Sequence, residues 1–253
     1  MIAGSFGKIG AAVLSASACL RSGAGLVSCH LPRCGYEIMQ TSLPEVMVSV
    51  DLDHSIITTI ETALDIYKAI GIGPGLGTAS ETRTLLRDVF SQYRLPFVLD
   101  ADALNCIAKE PALLNLVPRG SVLTPHPKEF QRLFGDTASE SERIHLASAK
   151  AKELNMVIIL KGHHTLIALP DGRRFFNSTG NAGMATGGSG DVLTGLLTGL
   201  LAQGYDSAEA AIFGVYLHGL AGDLAAENFS KEGMVAGDIV SQIGKAFLRT
   251  GIN

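Results

Sequence analysis

Asn181-Ala182-Gly183-Met184-Ala185-Thr186-Gly187-Gly188-Ser189-Gly190-Asp191 runs directly into Val192-Leu193-Thr194-Gly195-Leu196-Leu197, a glycine-rich turn feeding an apolar helix. Closely spaced glycines let backbone amides converge on one point, and the start of a helix adds a partial positive charge there. The segment therefore builds a pocket for an anion such as phosphate, with Gly188, Ser189 and Gly190 as candidate contacts. An acid in a first helical turn is ordinarily only a cap. Asp191, however, follows an amide nest suited to phosphate, and a carboxylate there can take the proton of a hydroxyl that attacks phosphorus. Asp191 is the candidate catalytic residue.

Outward from this segment, short β-rich apolar runs alternate with helical stretches, the pattern of an α/β domain with a mainly parallel sheet covered by helices on both faces. Strands are predicted at 26–31, 45–50, 67–72, 96–100, 121–124, 156–161, 165–169 and 174–177. Gly162-His163-His164 and Pro170-Asp171-Gly172 separate the last three, which read as an antiparallel meander at one edge. Helices are predicted at 8–22, 78–93, 139–154, 189–203, 207–227 and 236–248, so the chain is almost wholly helical from Ser189 onward. No repeat, linker or charge block divides the 253 residues, and a single domain over 1–253 is the economical reading.

Composition narrows the function classes. A net charge of −4 argues against binding nucleic acid or an anionic membrane, since both require an excess of Lys and Arg. With 47% hydrophobic and 17% charged residues the chain is not disordered. The 29 glycines are concentrated at 4–25, 71–77 and 180–190, as expected of loops that approach ligands closely. Cys19, Cys29, Cys34 and Cys106 show no metal or disulfide spacing and read as reduced packing thiols, which implies a cytoplasmic setting. The apolar run 9–20 resembles a secretion signal, but Ser15, Ser17 and Arg21 interrupt it and its apolar residues suit a buried helix face. The apolar stretch 192–202 is about half of what a bilayer span needs.

Spacing excludes several common motifs. Gly7-Lys8 lacks the upstream glycine and downstream Ser or Thr of a nucleotide-binding P-loop, and Asp191 stands where a hydrolase elbow needs glycine. Gly71-Ile72-Gly73-Pro74-Gly75-Leu76-Gly77 has Leu76 in place of the third glycine of a dinucleotide fingerprint. It reads as a strand end where backbone meets a ligand, or as a tight turn. Val98-Leu99-Asp100-Ala101-Asp102-Ala103-Leu104-Asn105 places two acids and an amide at the end of a buried strand, where α/β enzymes keep polar groups; helix capping accounts for one of the acids. In Leu123-Thr124-Pro125-His126-Pro127-Lys128-Glu129 the flanking prolines direct His126 toward a ligand, while Glu129 either touches a magnesium shell or faces solvent. Lys161-Gly162-His163-His164-Thr165 sits between two edge strands. The His pair has no third ligand at metal spacing, so the lysine and the amides read instead as holders of nucleotide phosphates.

These five segments, in this order, resemble the ADP/ATP-dependent NAD(P)H-hydrate dehydratases, the ribokinase-like carboxyl-terminal domain of the nicotinamide-nucleotide repair proteins. The resemblance spans essentially the whole chain. It implies a ribokinase-like three-layer sandwich and an enzyme that uses ADP or ATP with Mg2+. Such an enzyme phosphorylates the ring hydroxyl of hydrated NADH or NADPH, after which phosphate is eliminated. By position, Ala11, Gly75, Gly77, His126 and Asp191 would contact the hydrated dinucleotide, with Asp100, Asn105 and Asn181 as further substrate-side polar groups. Lys161, Gly162, His163, His164, Thr165 and Gly190 would contact the adenine nucleotide. The resemblance also implies a homo-oligomer, a tetramer, and an epimerase domain or protein as partner. His163 stands where relatives carry a small residue. The chain starts at Met1-Ile2-Ala3-Gly4-Ser5-Phe6-Gly7, where the family has a complete strand, so a sheet edge requires cover. The Gly-Ser-Gly-Asp segment alone also suits a small-molecule kinase of the hydroxyethylthiazole or hydroxymethylpyrimidine type.

Overall fold

The computed structural model describes residues 1–251. Strands β1 (Ser28–Leu31) and β2 (Met47–Val50) pair in parallel. β3 (Ile70–Ile72), β4 (Phe97–Leu99), β5 (Val122–Leu123) and β6 (Val157–Leu160) continue as a parallel ladder in sequence order. β7 (Leu166–Ala168) and β8 (Arg174–Phe176) close that sheet as the expected antiparallel meander. Met1 to Ala3 lie between the two groups: Ile2 bridges in parallel to both His30 and Ile72, and its amide donates to the Gly71 carbonyl at 2.9 Å. The edges of β1 and β3 that a preceding strand would occupy are thus partly paired by residues 1–3.

β3 to β6 are apolar on both faces because helices cover both. Side chains alternate across the pleat. Phe97 and Leu99 join Leu85, Phe90 and Leu104 on the side of α3 (Ser80–Gln92) and α4 (Ala101–Lys109). Val98, Val122, Val157 and Ile159 face Leu193 and Leu197 of α7 (Ser189–Ala202) and Val215 of α8 (Ser207–Gly233). Ile158 and Leu160 pack with Phe130 of α5 (Pro127–Phe134) and Ala147 of α6 (Glu140–Leu154).

Helix α7 has ten buried residues, the mark of a helix enclosed on all sides. Burying each of Leu196, Leu197 and Leu200 contributes roughly 2–3 kcal/mol relative to exposure. α1 (Ile9–Arg21) crosses it closely, since a Cβ on Gly195 would overlap the Ser15 carbonyl and one on Gly199 the Ser22 hydroxyl. α9 (Ala236–Thr250) packs on the same cluster through Ile239 and Ile243. Three helices are additional to those expected from periodicity: α2 (Tyr36–Ser42), α4 and α5. Each is nine residues or fewer, too short for a helical period to emerge. α8 runs past the predicted end at 227 and is broken at Ser230, where φ is 61°. Among the described residues no helix is long and apolar enough to cross a membrane.

Candidate functional site

The carboxyl ends of β4, β5 and β6 point to the same edge as the amino terminus of α7, where open α/β sheets bind ligands. A cavity of about 750 Å³ opens there, walled by Asp100, His126, Glu129, Lys161, Ser189 to Asp191, His218 and the 177–186 loop. That size suits a small-molecule or cofactor site.

The helix start is built as the sequence suggests. Gly188 is the N-cap of α7 with φ 92°, a left-handed conformation unfavourable for any residue with a Cβ. No side chain caps this terminus; the Ser189 amide donates to the Thr186 carbonyl at 3.5 Å, which leaves the Gly190 and Asp191 amides for an anion. Asp191 occupies the third helical position. Burial, then repulsion from Asp100 and to a lesser degree Asp102, pushes its carboxyl up to about 7, against a lowering pull from Lys161. An acid held there exchanges its proton at physiological pH, as a general base requires.

Asp100 is only 1% exposed, and both carboxylate oxygens are engaged by the protein: Lys161 Nζ donates to Oδ1 at 2.6 Å and Thr194 Oγ1 to Oδ2 at 2.8 Å. The residue still lines the cavity, below the first turn of α7. Asp100 also stands at the N-cap of α4 without capping it, which forgoes about 1 kcal/mol. The next residue, Ala101, has φ 48°, which costs a further ~1–2 kcal/mol for a residue with a Cβ.

Lys161 keeps donors available for phosphate, since it has three N–H groups and 22% side-chain exposure; Glu129 Oε2 lies 3.9 Å from it. His126 and Glu129 form a capping box on α5. His126 Nδ1 accepts from the amides of Lys128 and Glu129 at 3.1 and 3.3 Å, and Glu129 Oε2 accepts from the His126 amide at 2.9 Å. That pattern assigns the proton to Nε2, which faces Glu129 Oε1 at 3.3 Å. Burial and the Lys161 ammonium hold the imidazole below its ordinary range. Burial raises the Glu129 acid, with Lys161 opposing. His126 thus serves as a cap and still lines the cavity, whereas the solvent-facing alternative for Glu129 is excluded by its 5% exposure.

Asn181 fastens the loop. Its Oδ1 accepts from the Gly183 amide, and its Nδ2 donates to the Gly222 carbonyl and to Asp223, each at 3.0 Å. Gly162, His163 and Thr165 line the cavity; His164 and Gly188 are absent from its wall, His164 standing edge-on to His163 at 4.3 Å. Ala11, Gly75, Gly77 and Asn105 are not in that wall either. They form a neighbouring group: a Cβ on Gly75 would come within 3.1 Å of the Ala11 methyl, Gly77 donates to Asp102 at 2.9 Å, and Asn105 bridges Asp102 and Arg132. Lys8 pairs with Asp102 at 3.2 Å on the same side. Asp102 connects the two groups through its effect on Asp191.

Two site residues escape the sequence reading. Thr194 lies one turn after Asp191 and is indistinguishable there from any helical Thr. His218 is a lone His on the buried face of α8; its Nε2 lies 3.0 Å from the Ser189 carbonyl, and burial pushes its imidazole down to about 4. The available signal was a histidine inside the apolar run 210–222, between Glu209 and Asp223.

Residues 1–245 match the family model described as NAD(P)H-hydrate dehydratase. A bifunctional NAD(P)H-hydrate repair enzyme of Moorella thermoacetica is 42% identical over 249 residues, 94% of this chain and 47% of its own length. The chain spans about half of that relative. An ADP-dependent (S)-NAD(P)H-hydrate dehydratase of Neisseria meningitidis is 37% identical, with 94% of this chain and 81% of its own covered. The solved ADP/ATP-dependent NAD(P)H-hydrate dehydratase of Bacillus subtilis, co-crystallised with ATP/Mg2+ and soaked with CoA, superposes with a TM-score of 0.82 at 30% identity. That match covers 98% of this chain and 90% of the other. With the glycine-capped helix, the poised Asp191 and the ribokinase-like sheet in place, this match along nearly the whole chain shows that it belongs to the NAD(P)H-hydrate dehydratase family.

Proposed function

We propose that this chain repairs hydrated NADH or NADPH, using ADP or ATP as phosphoryl donor. The observation that carries the reading is Asp191, held near pH 7 in the first turn of α7 and facing a cavity of about 750 Å³ beside uncapped amides. Asp191 takes the proton of the ring hydroxyl as its oxygen attacks the terminal phosphorus. The bond from that phosphorus to its bridging oxygen breaks, and AMP leaves from ADP, or ADP from ATP. The amides at 188–190 stabilise charge on the transferring group. The carbon–oxygen bond to the new phosphate then breaks with its electrons on phosphate. The adjacent ring carbon gives its proton to the departing phosphate, and that C–H electron pair becomes the restored double bond.

The reading assigns Lys161, Gly162, His163, Thr165 and Gly190 to the nucleotide and His126 to the substrate side. Ala11, Gly75 and Gly77 extend the substrate side beyond the cavity wall. Among the described residues no group of three His, Cys, Asp or Glu could cage a metal. Magnesium held largely by phosphates, with Glu129 as the adjoining carboxylate, fits that donor set and would neutralise phosphate charge.

We infer a cytoplasmic setting, supported by four free thiols of which three are buried. A homo-oligomer is inferred as well, supported by exposed Leu26, Met47 and Val50 near β1 and β2, and is checked by analytical ultracentrifugation. An epimerase domain or protein is inferred as partner, supported by the bifunctional relative.

Protein mixed with hydrated NADH or NADPH, magnesium and ADP or ATP restores the reduced-nicotinamide absorbance. No recovery with either nucleotide overturns the proposal, and a stable phosphorylated product in its place assigns a small-molecule kinase.

A further inference from the structure

The backbone around Asp100 is arranged to aim its side chain away from its own helix. Asp is a favoured N-cap residue, yet Asp100 gives α4 no capping bond, and the helix begins on a left-handed alanine at Ala101. Beneath it Gly73, with φ 127°, passes so close that a Cβ would overlap the Asp100 carbonyl oxygen. These local concessions turn the carboxylate toward the first turn of α7, where a Cβ on Gly190 would lie 3.5 Å from Asp100 Oδ2 and 3.3 Å from Lys161 Nζ. Thr194, on the same helix as Asp191, anchors one oxygen, and Lys161 from the end of β6 anchors the other.

We propose that Asp100 is a positioning residue for Asp191: held by Thr194 and Lys161, its carboxylate is set against the first turn of α7, beside the residue that takes the substrate proton. The proposal rests on the reading of Asp191 as the proton acceptor. The charged groups acting on Asp191 are Asp100 from the end of β4, Asp102 from α4 and Lys161 from β6; the two acids raise its proton affinity and the lysine lowers it. A carboxylate is repelled by a like charge and so holds its proton to higher pH. The uncapped N-cap makes sense on this account, since a carboxylate bonded to its own helix amides would lie farther from Asp191.

The test is a titration of Asp191 by carboxyl 13C NMR in the intact protein, with Asp191→Asn identifying its signal. Asp100→Asn lowers the Asp191 midpoint by about one unit, tenfold in acid constant, and moves the acid limb of the kcat profile by the same amount. Thr194→Val, which keeps every charge and frees one oxygen, shifts the midpoint in the same direction by less. Comparing Lys161→Met with the Asp100→Asn/Lys161→Met double variant reads the effect of Asp100 with no ammonium present. Where Asp100→Asn does not fold, Thr194→Val decides. A midpoint within about 0.3 unit of the parent in the folded variants overturns the proposal. Turnover retained in Asp191→Asn removes the general-base reading instead, a different failure that the NMR midpoint does not confuse with this one.

Discussion

The imidazole of His218 and the carbonyl oxygen of Ser189 meet at 3.0 Å, tying the middle of α8 to the first residue of α7. The ring is buried and its basicity is depressed to about 4, by desolvation first, then by Lys161, against the bond to Ser189. It therefore works neutral, donating through Nε2. His218→Leu removes this tether from the turn that carries Gly190 and Asp191. We expect kcat/KM to fall about tenfold, as for loss of one hydrogen bond of ~1.4 kcal/mol, with partial recovery in His218→Gln. Steady-state kinetics on the three proteins check this; equal kcat/KM in all three rejects it.

The same histidine makes a stability prediction. A group with a depressed folded-state value binds fewer protons folded than unfolded, so its contribution is complete above about pH 6.5 and is lost as pH falls toward 4. That loss amounts to up to about 3 kcal/mol. Denaturant unfolding at a series of pH values follows it, and His218→Leu flattens the curve across that window.

Asp191 has the opposite sign. Its folded-state value is raised to about 7, so the folded protein holds the proton longer, and stability declines as pH rises from about 4 through 7. Asp191→Asn removes this penalty and gains ~2 kcal/mol at pH 8 while losing at least 10²-fold in turnover. Nucleotide affinity by calorimetry is retained. In the parent enzyme kcat rises with pH through about 7, because the ionised form is the base.

Gly188→Ala tests the nest. The added methyl meets Leu14 Cδ1 at 2.5 Å and Ala236 Cβ at 3.0 Å, on a backbone with φ 92°. A cost of about 2–3 kcal/mol in unfolding free energy is expected, with weaker nucleotide binding as the amides shift. Thermal denaturation with and without nucleotide measures both.

Lys161→Met separates the lysine's structural and binding roles. Removing the ammonium strands the Asp100 carboxylate, bonded only to Thr194, and destabilises by about 2 kcal/mol, less than a fully buried pair because Lys161 is partly exposed. KM for nucleotide rises, whereas a lysine serving Asp100 alone would leave it unchanged.

Much of this architecture was legible in the order of residues. Alternating apolar runs set strands against helices, the turns at 162–164 and 170–172 marked the meander, and Gly188 to Asp191 marked a glycine-capped helix start with an acid in its first turn. Those signals are local: each depends on periodicity, turn chemistry or amide geometry within a few residues. The short helices α2, α4 and α5 were not legible, because fewer than three turns carry little periodicity and their caps, such as the His126–Glu129 box, are atypical.

By itself the sequence determined the class of fold, the glycine-rich turn that starts α7 and the position of Asp191 in its first turn. Only the tertiary structure decided what surrounds that acid. Asp100, Thr194, Lys161 and His218 come from a strand end, the far side of a helix turn, another strand end and a distant helix, up to 94 residues apart along the hydrogen bonds that join them. Proton affinity depends on burial and on charges through space, and chain order does not encode those distances. For the same reason Asp100, which reads in sequence as a substrate contact or a helix cap, gives α4 no capping bond, because packing directs its carboxylate to Lys161 and Thr194.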